Sequence, residues 1–355
     1  MSTPAPGHGH VLVARLDSVG DLLVTGPAVR AVAGTAARVT LLVGRGRSEA
    51  ARLLPGVDDV IEFEAPWVVP DAPPLDPTAA LGLVETLRAA RLDAALVVTS
   101  FHQSALPLAL LLRMAGVGWV GAISEDYPGS LLDLRHRVPE ELAESERALS
   151  LARAAGFPAP GPATLAVRGP LPDVGAHTGP GPYLVFHPGA DAEARRPTAE
   201  HSRSLVAGLV EAGHRVLVTG SPGERTLTGY VAAGRARDLG GALRLAELAA
   251  VLEGAEVLVA PNTGPAHLAA AVGTPVVSLF APVVPPVKWA PYGVPTVLLG
   301  DQDAPCRETR ARRCPVPGHP CLSSITPEAV VAAVATLTAD GGANRSRKAD
   351  HVLLR

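Results

Sequence analysis

Short apolar runs alternate with amphipathic stretches along most of the chain. The runs HVLVARL, ARVTLLVG, DDVIEF and DAALVVTS, and later PYLVFHPG, HRVLVTGS, AEVLVAPN and TPVVSLFA, are rich in Val, Leu and Ile. They read as strands covered on both faces. Between them, stretches such as SEAARLLPG and RSLVAGLVEAG carry apolar positions at helical spacing. Strand and helix in alternation predict βαβ units and parallel sheets. The apolar stretch ALPLALLLRMAGVGWVGAI at 105–123 is interrupted by Pro107, Arg113 and several glycines. It reads as a buried helix running into a strand, short of the ~20 clean residues that a membrane span needs.

Periodicity disappears over VRGPLPDVGAHTGPGP, residues 167–182, and a fresh strand begins after it. With about 150 residues per domain as a guide, 355 residues exceed one comfortable core. The expected fold class is therefore α/β, with two Rossmann-like domains whose parallel sheets face each other across a cleft. The expected organisation is a flexible N-terminus over 1–10, a domain over 11–170, a linker over 171–182, a second domain over 183–338 and a mobile tail over 339–355.

Composition narrows the function. Basic and acidic residues, 31 and 34, nearly cancel to a net charge of -3, which argues against a dedicated nucleic-acid binder. Aromatics at 3% leave Val, Leu and Ala to fill the cores. The start, MSTPAPGHGH, has no apolar run behind a basic segment, so no secretory signal is read and a cytoplasmic location is expected.

Candidate chemistry gathers in loops after strands, at the sheet edge where open α/β folds hold ligands. The loop DSVGD follows the first strand, with Gly20 suited to a tight turn and Asp21 expected at the start of a helix. Two readings stand for Asp21: a helix cap, or a cleft-facing carboxylate that takes a proton as general base. In AEVLVAPNTGPAHLAAAVG, Asn262 and Thr263 are suited to N-cap positions, and Gly264 and Pro265 to the bend and first turn. A helix start carries roughly half a positive charge and unpaired N–H donors, so a diphosphate fits there. Thr263 can add a hydroxyl and His267 a ring nitrogen; an ordinary capped helix is the alternative.

FHPGADAEARRP places Arg195 and Arg196 after another strand, and TGSPGE places Glu224 after the next. Bonds from Arg to phosphate oxygens contribute on the order of 1.5–3 kcal/mol each, more than the ~0.3–1 kcal/mol of a helix dipole. Glu224 suits ribose hydroxyls or the cap of the following helix, and the arginine pair has a solvated face as its alternative. Cys306, Cys314 and Cys321 with His319 hold donor types for tetrahedral zinc, but their spacing lacks a tight C-x₂₋₄-C knuckle. A cytosolic dithiol pair and plain loop packing are the other accounts of this cluster.

Together RLDSVGDLLVTGPAVRA, FHPGADAEARRP, TGSPGE and NTGPAHLAAAVGTPVVSLF resemble motifs of glycosyltransferase family 9, the ADP-heptose:lipopolysaccharide heptosyltransferase group. In order, they look like its opening signature, phosphate loop, ribose loop and C-terminal nucleotide motif. The resemblance implies a GT-B fold, with the acceptor held mainly by the N-terminal domain and a nucleotide-diphosphate sugar by the C-terminal one. It implies an inverting, metal-independent transfer with the family's base aspartate at Asp21. The family's basic residue before a Trp-Pro pair falls at Arg195, beside Arg196, although RRPT stands where Trp-Pro is usual. The family's DTG is NTG here, so Asn262 lacks a negative charge beside the diphosphate.

On this reading Glu224, Asn262, His187 and Gly189 serve the donor nucleoside and sugar. Thr263, Gly264, His267, Arg195 and Arg196 serve the diphosphate. Asp17, Ser18 and Gly20 lie on the acceptor side, and TSFHQSALP after the fourth strand adds Ser100, His102 and Gln103 there, with a structural hydrogen-bonding role as the alternative for His102. The implied donor is ADP-heptose-like, with no further cofactor. The implied acceptor is a cell-envelope glycan, glycolipid or metabolite, met in the cytoplasm or at the inner membrane face. A nucleotide-sugar 2-epimerase-like enzyme and a non-catalytic nucleotide-sugar-binding protein are the alternatives.

Overall fold

Val11, Leu12, Val13 and Ala14 are all fully buried, so the first apolar run becomes a strand with no solvent face, β1 (His10–Arg15). The computed structural model describes residues 9–69, 71–139, 141–159 and 161–352. Within it the chain divides into two units, the first ending at Arg168 and the second beginning at Gly169.

In the first unit β1 is joined by β2 (Arg38–Val43), β3 (Asp59–Glu62), β4 (Ala94–Val97), β5 (Trp119–Ile123) and β6 (Leu134–His136). They form one parallel sheet in the order β3-β2-β1-β4-β5-β6. The second unit holds β7 (Leu184–Phe186), β8 (Val216–Val218), β9 (Arg237–Asp238), β10 (Leu258–Pro261), β11 (Val276–Leu279) and β12 (Thr296–Leu299). Their order, β12-β11-β10-β7-β8-β9, repeats the same winding. Each sheet therefore reverses direction between its first and fourth strands, β1 and β4 or β7 and β10, and such a switch point leaves a crevice at the strands' carboxyl ends.

Helices cover both faces of the first sheet. The helix Val19–Ala33 buries Leu22, Leu23, Val24, Ala28, Val29 and Val32 and packs on the helix Glu144–Ala154. On the other face Leu83, Val84, Leu87, Leu108 and Leu112 join Leu12, Ala95 and Val97 in one cluster. Each such side chain contributes about 1.5–3 kcal/mol when fully buried. In the second unit Phe186, Leu205, Leu209, Val259 and Leu279 form the corresponding core, which Cys306 and Cys321 enter.

The helix after β1 starts earlier than residue 21. Ser18 is its N-cap, in extended conformation, and Asp21 is the third helical residue. Gly20 accordingly sits in the first helical turn rather than in a turn ahead of it. The segment expected to link the domains is fastened to the second unit. Arg215 donates to Thr178 O, to Gly181 O (2.6 Å) and to Pro182 O (3.2 Å), and Arg237 donates to Ala176 O at 2.8 Å. Residues 1–8 of the expected flexible N-terminus lie outside the described residues. His10 begins β1, its ring bonded to Ala90 O and Thr40 Oγ1 at 2.9 and 2.7 Å. The segment expected as a tail continues the last helix, Pro327–Val352, and residues 353–355 lie outside the described residues. Among the described residues no helix is long and apolar enough to cross a membrane.

Candidate functional site

The carboxyl end of β1 carries a residue that pattern reading passed over. Arg15 closes the strand with its side chain fully enclosed, and each guanidinium nitrogen meets an acid. Nε lies 2.7 Å from Asp17 Oδ2, Nη2 lies 3.1 Å from Asp21 Oδ1, and Nη1 lies 3.5 Å from Glu144 Oε2. Nη2 also donates to Ser100 Oγ at 2.8 Å, across the switch point on the loop after β4.

Asp21 is held from two directions. Its Oδ2 accepts from Ser18 Oγ at 2.6 Å and from Ser18 N at 3.1 Å, while Ser18 Oγ accepts from Asp21 N at 3.3 Å. This reciprocal capping box closes the helix start. The cap reading of Asp21 is thus satisfied through one oxygen, and the other oxygen meets Arg15. Asp17 is turned inward, accepting from Gln103 Nε2 as well as pairing with Arg15. Ser100 and Gln103 join this cluster, and Ser100 N donates to Gln103 Oε1 at 3.2 Å. His102 stands outside it, exposed, with its ring edge-on to Phe101 at 5.2 Å.

Burial and charge oppose each other here. Burial by itself lowers the Arg15 pKa, but Asp17, Asp21 and Glu144 outweigh it and hold the guanidinium above its ordinary value. Burial raises the Asp17 carboxyl above the usual range, against the pull of Arg15 and with a push from Asp21. Behind Arg15, Arg147 lies 3.6 Å from Glu144 and donates to the carbonyl of Thr99. Arg15, Glu144 and Arg147 all escaped the sequence reading. The available signal was an arginine in the last position of an otherwise apolar strand.

The second switch point is furnished differently. His187 follows β7 and is buried, with Nδ1 at 3.1 Å from Thr219 Oγ1. Burial lowers its pKa to about 4, against a smaller opposing effect of Glu224. Glu224 caps its own turn: its Oε2 accepts from Ser221 N and Ser221 Oγ, both at 2.8 Å. Its Oε1 lies so close over Gly189 that a Cβ there would stand 1.8 Å away. Gly189 and Glu224 are therefore in direct contact.

After β10, Asn262 is buried and Thr263 is the N-cap of the helix Gly264–Val272. Thr263 makes no side-chain cap bond, so this helix start lacks the closure that Ser18 provides in the first unit. His267, in the same helix, is buried. Arg195 ends a short 3-10 turn, Glu193–Arg195, and Arg196 follows it; both are half-buried. The loop 301–324 braces this turn, since Ala194 N donates to Arg312 O at 3.0 Å and the His319 ring meets Ala194 O at 3.1 Å.

Of the accounts of the cysteine cluster, that brace favours loop packing. His319 is turned to a carbonyl, Cys314 Sγ meets Val316 O at 3.3 Å, and Cys306 and Cys321 are buried in the core. Burial, with Cys306 beside it, pushes the Cys321 thiol up to about 12. Among the described residues no three His, Cys, Asp or Glu side chains are grouped to hold a metal.

Comparison with known proteins agrees with this architecture. The profile of glycosyltransferase family 9 (heptosyltransferase) matches residues 80–319. Lipopolysaccharide heptosyltransferase 1 of Pseudomonas aeruginosa is 40% identical over 136 residues, 38% of this chain. The aligned part spans only 38% of that curated relative's length. The ADP-heptose lipopolysaccharide heptosyltransferase II of E. coli superposes with a TM-score of 0.73 at 19% identity, covering 94% of this chain and 99% of that one. A family 9 glycosyltransferase of Veillonella parvula gives 0.75 at 16% identity, covering 93% and 97%. An E. coli heptosyltransferase solved with ADP-2-deoxy-2-fluoro heptose gives 0.67 at 23% identity, covering 90% and 97%. At these identities the likeness is one of fold, α/β with two Rossmann-like domains of the GT-B type.

Proposed function

The chain belongs to glycosyltransferase family 9, and from that premise we propose that it moves a sugar from a nucleotide-diphosphate donor to an acceptor hydroxyl. The donor class we infer is ADP-heptose-like, which the E. coli relatives solved with ADP and with a fluorinated ADP-heptose support. The acceptor is a cell-envelope glycan, glycolipid or metabolite, met in the cytoplasm or at the inner membrane face.

One observation carries the reading: a buried guanidinium and a serine orient the Asp21 carboxylate at the switch point of the first sheet. A carboxylate so held can take the proton of an incoming alcohol. The alcohol oxygen then forms a bond to the anomeric carbon as the bond from that carbon to the diphosphate oxygen breaks, with inversion and without a bound metal. The departing electron pair rests on the diphosphate. In the second unit the helix start at Thr263 and Gly264, with Arg195 and Arg196, supplies donors for that developing charge. Asn262, His187, Gly189 and Glu224 line the nucleoside and sugar side, and Asp17, Ser100 and Gln103 hold the acceptor-side loops in place.

The test is release of nucleoside diphosphate from a panel of ADP-, UDP- and GDP-sugars, with and without an acceptor panel. Release that depends on acceptor is expected. Conversion of the donor alone would instead identify an epimerase, and binding without release a non-catalytic protein.

A further inference from the structure

Glu144 and Arg147 take no part in the reaction as written, yet both are enclosed at the start of the helix Glu144–Ala154. Burying charges costs several kcal/mol per ion, and apolar residues of similar volume often serve stability as well or better. Stability alone is therefore a poor reason for this pair. Their position is specific. Nε and Nη2 of Arg15 are engaged by Asp17, Asp21 and Ser100, and Glu144 takes the remaining nitrogen, Nη1. Arg147 pairs with Glu144 and is anchored on the Thr99 carbonyl, one residue before Ser100.

We propose that Glu144, braced by Arg147, is a positioning residue: it fixes Arg15 and offsets part of its charge, so that Asp21 stays oriented without being over-stabilised as an anion. This rests on the reading of Asp21 as the base. When Asp21 takes a proton its attraction to Arg15 falls, and Asp17 and Glu144 keep the guanidinium in place. Without Glu144, more of the Arg15 charge acts on Asp21 and makes it a weaker base. The charged groups that meet on Arg15 are Asp17, Asp21 and, from the helix Glu144–Ala154, Glu144 with Arg147 behind it, and Asp17 also acts on Asp21. Beyond it, Glu125 acts on Arg147, and burial together with Arg147 lowers the pKa of His136.

The experiment compares the full-length chain with E144Q, E144D and R147Q. For E144Q the acid limb of the kcat/KM profile should move about one unit to lower pH, with kcat down several-fold and acceptor KM unchanged. E144D should restore the parental limb, and R147Q should move it to higher pH. Carbon-13 NMR titration of the aspartate carboxyls, with the Asp21 signal identified by its loss in D21N, should shift in the same directions. A folded E144Q with the parental limb and titration overturns the proposal. If E144Q does not fold, an R147Q limb that stays put or moves down overturns it instead. Absence of turnover in the parent chain would refute the base assignment, whereas the NMR titration would still decide whether Glu144 governs Asp21.

Discussion

The two halves share one winding of strands but furnish their switch points oppositely. In the first, a cluster of three acids and two arginines surrounds the carboxyl end of β1, and the adjoining helix is closed by its own serine. In the second, the imidazole beside β7 is held neutral by burial, and the helix after β10 begins at a threonine that makes no side-chain cap. The first arrangement holds the Asp21 carboxylate fixed between Arg15 and Ser18. The second leaves main-chain donors at a helix start, where an anion can bind. Topology thus sets where a site lies, while caps and buried charges set its chemistry.

Changing Asp21 should have the largest effect. D21N should lower kcat by about 10²–10⁴-fold while calorimetry shows donor binding unchanged; parental turnover would remove the distinction between the two switch points. Next is R15M, which leaves Asp17 and Glu144 without their shared counter-ion. Urea unfolding should show a loss of about 3–5 kcal/mol, and a neutral result would mean the acid cluster does not depend on its arginine.

The second half should respond to pH instead. The unfolded chain protonates His187 near 6.5 and the folded chain near 4. The folded state therefore binds fewer protons across that window, so stability is complete above it and falls as pH drops through it, by roughly 3 kcal/mol in all. H187Q should flatten this slope in urea titrations between pH 7 and 4. The smallest pair of effects tests the caps. S18A should cost about 1 kcal/mol, whereas T263V should stay within about 0.5 kcal/mol of the parent and weaken ADP binding several-fold by calorimetry. Equal losses at both positions would erase the contrast between the helix starts.

Most of the fold was legible because strands buried on both faces announce themselves as apolar runs. The strands β6, β9 and β12 were not named from sequence. For LRH and RD the reason is plain, since edge strands of two or three residues with so few apolar positions carry no period. At the site, Asp21 could be singled out from its loop, but its two roles could not be separated, and it turns out to use one oxygen for the cap and the other for Arg15. Arg15 and Glu144 lie far apart in the chain and meet only through packing of the helices Val19–Ala33 and Glu144–Ala154. The cysteines show the converse: donor types close in sequence are sorted by burial into core and loop.

Arg15 is also the last rung of the ladder between β1 and β2, paired in register with Val43. Because neighbouring residues of a strand point to opposite faces, sliding β1 by a single position would swing the guanidinium away from all three acids at once. On the proposed reading of Asp21 as the base, its power to accept a proton is inherited from the alignment of the first unit's sheet, and a change that loosened that alignment would be felt in acidity before it was felt in shape.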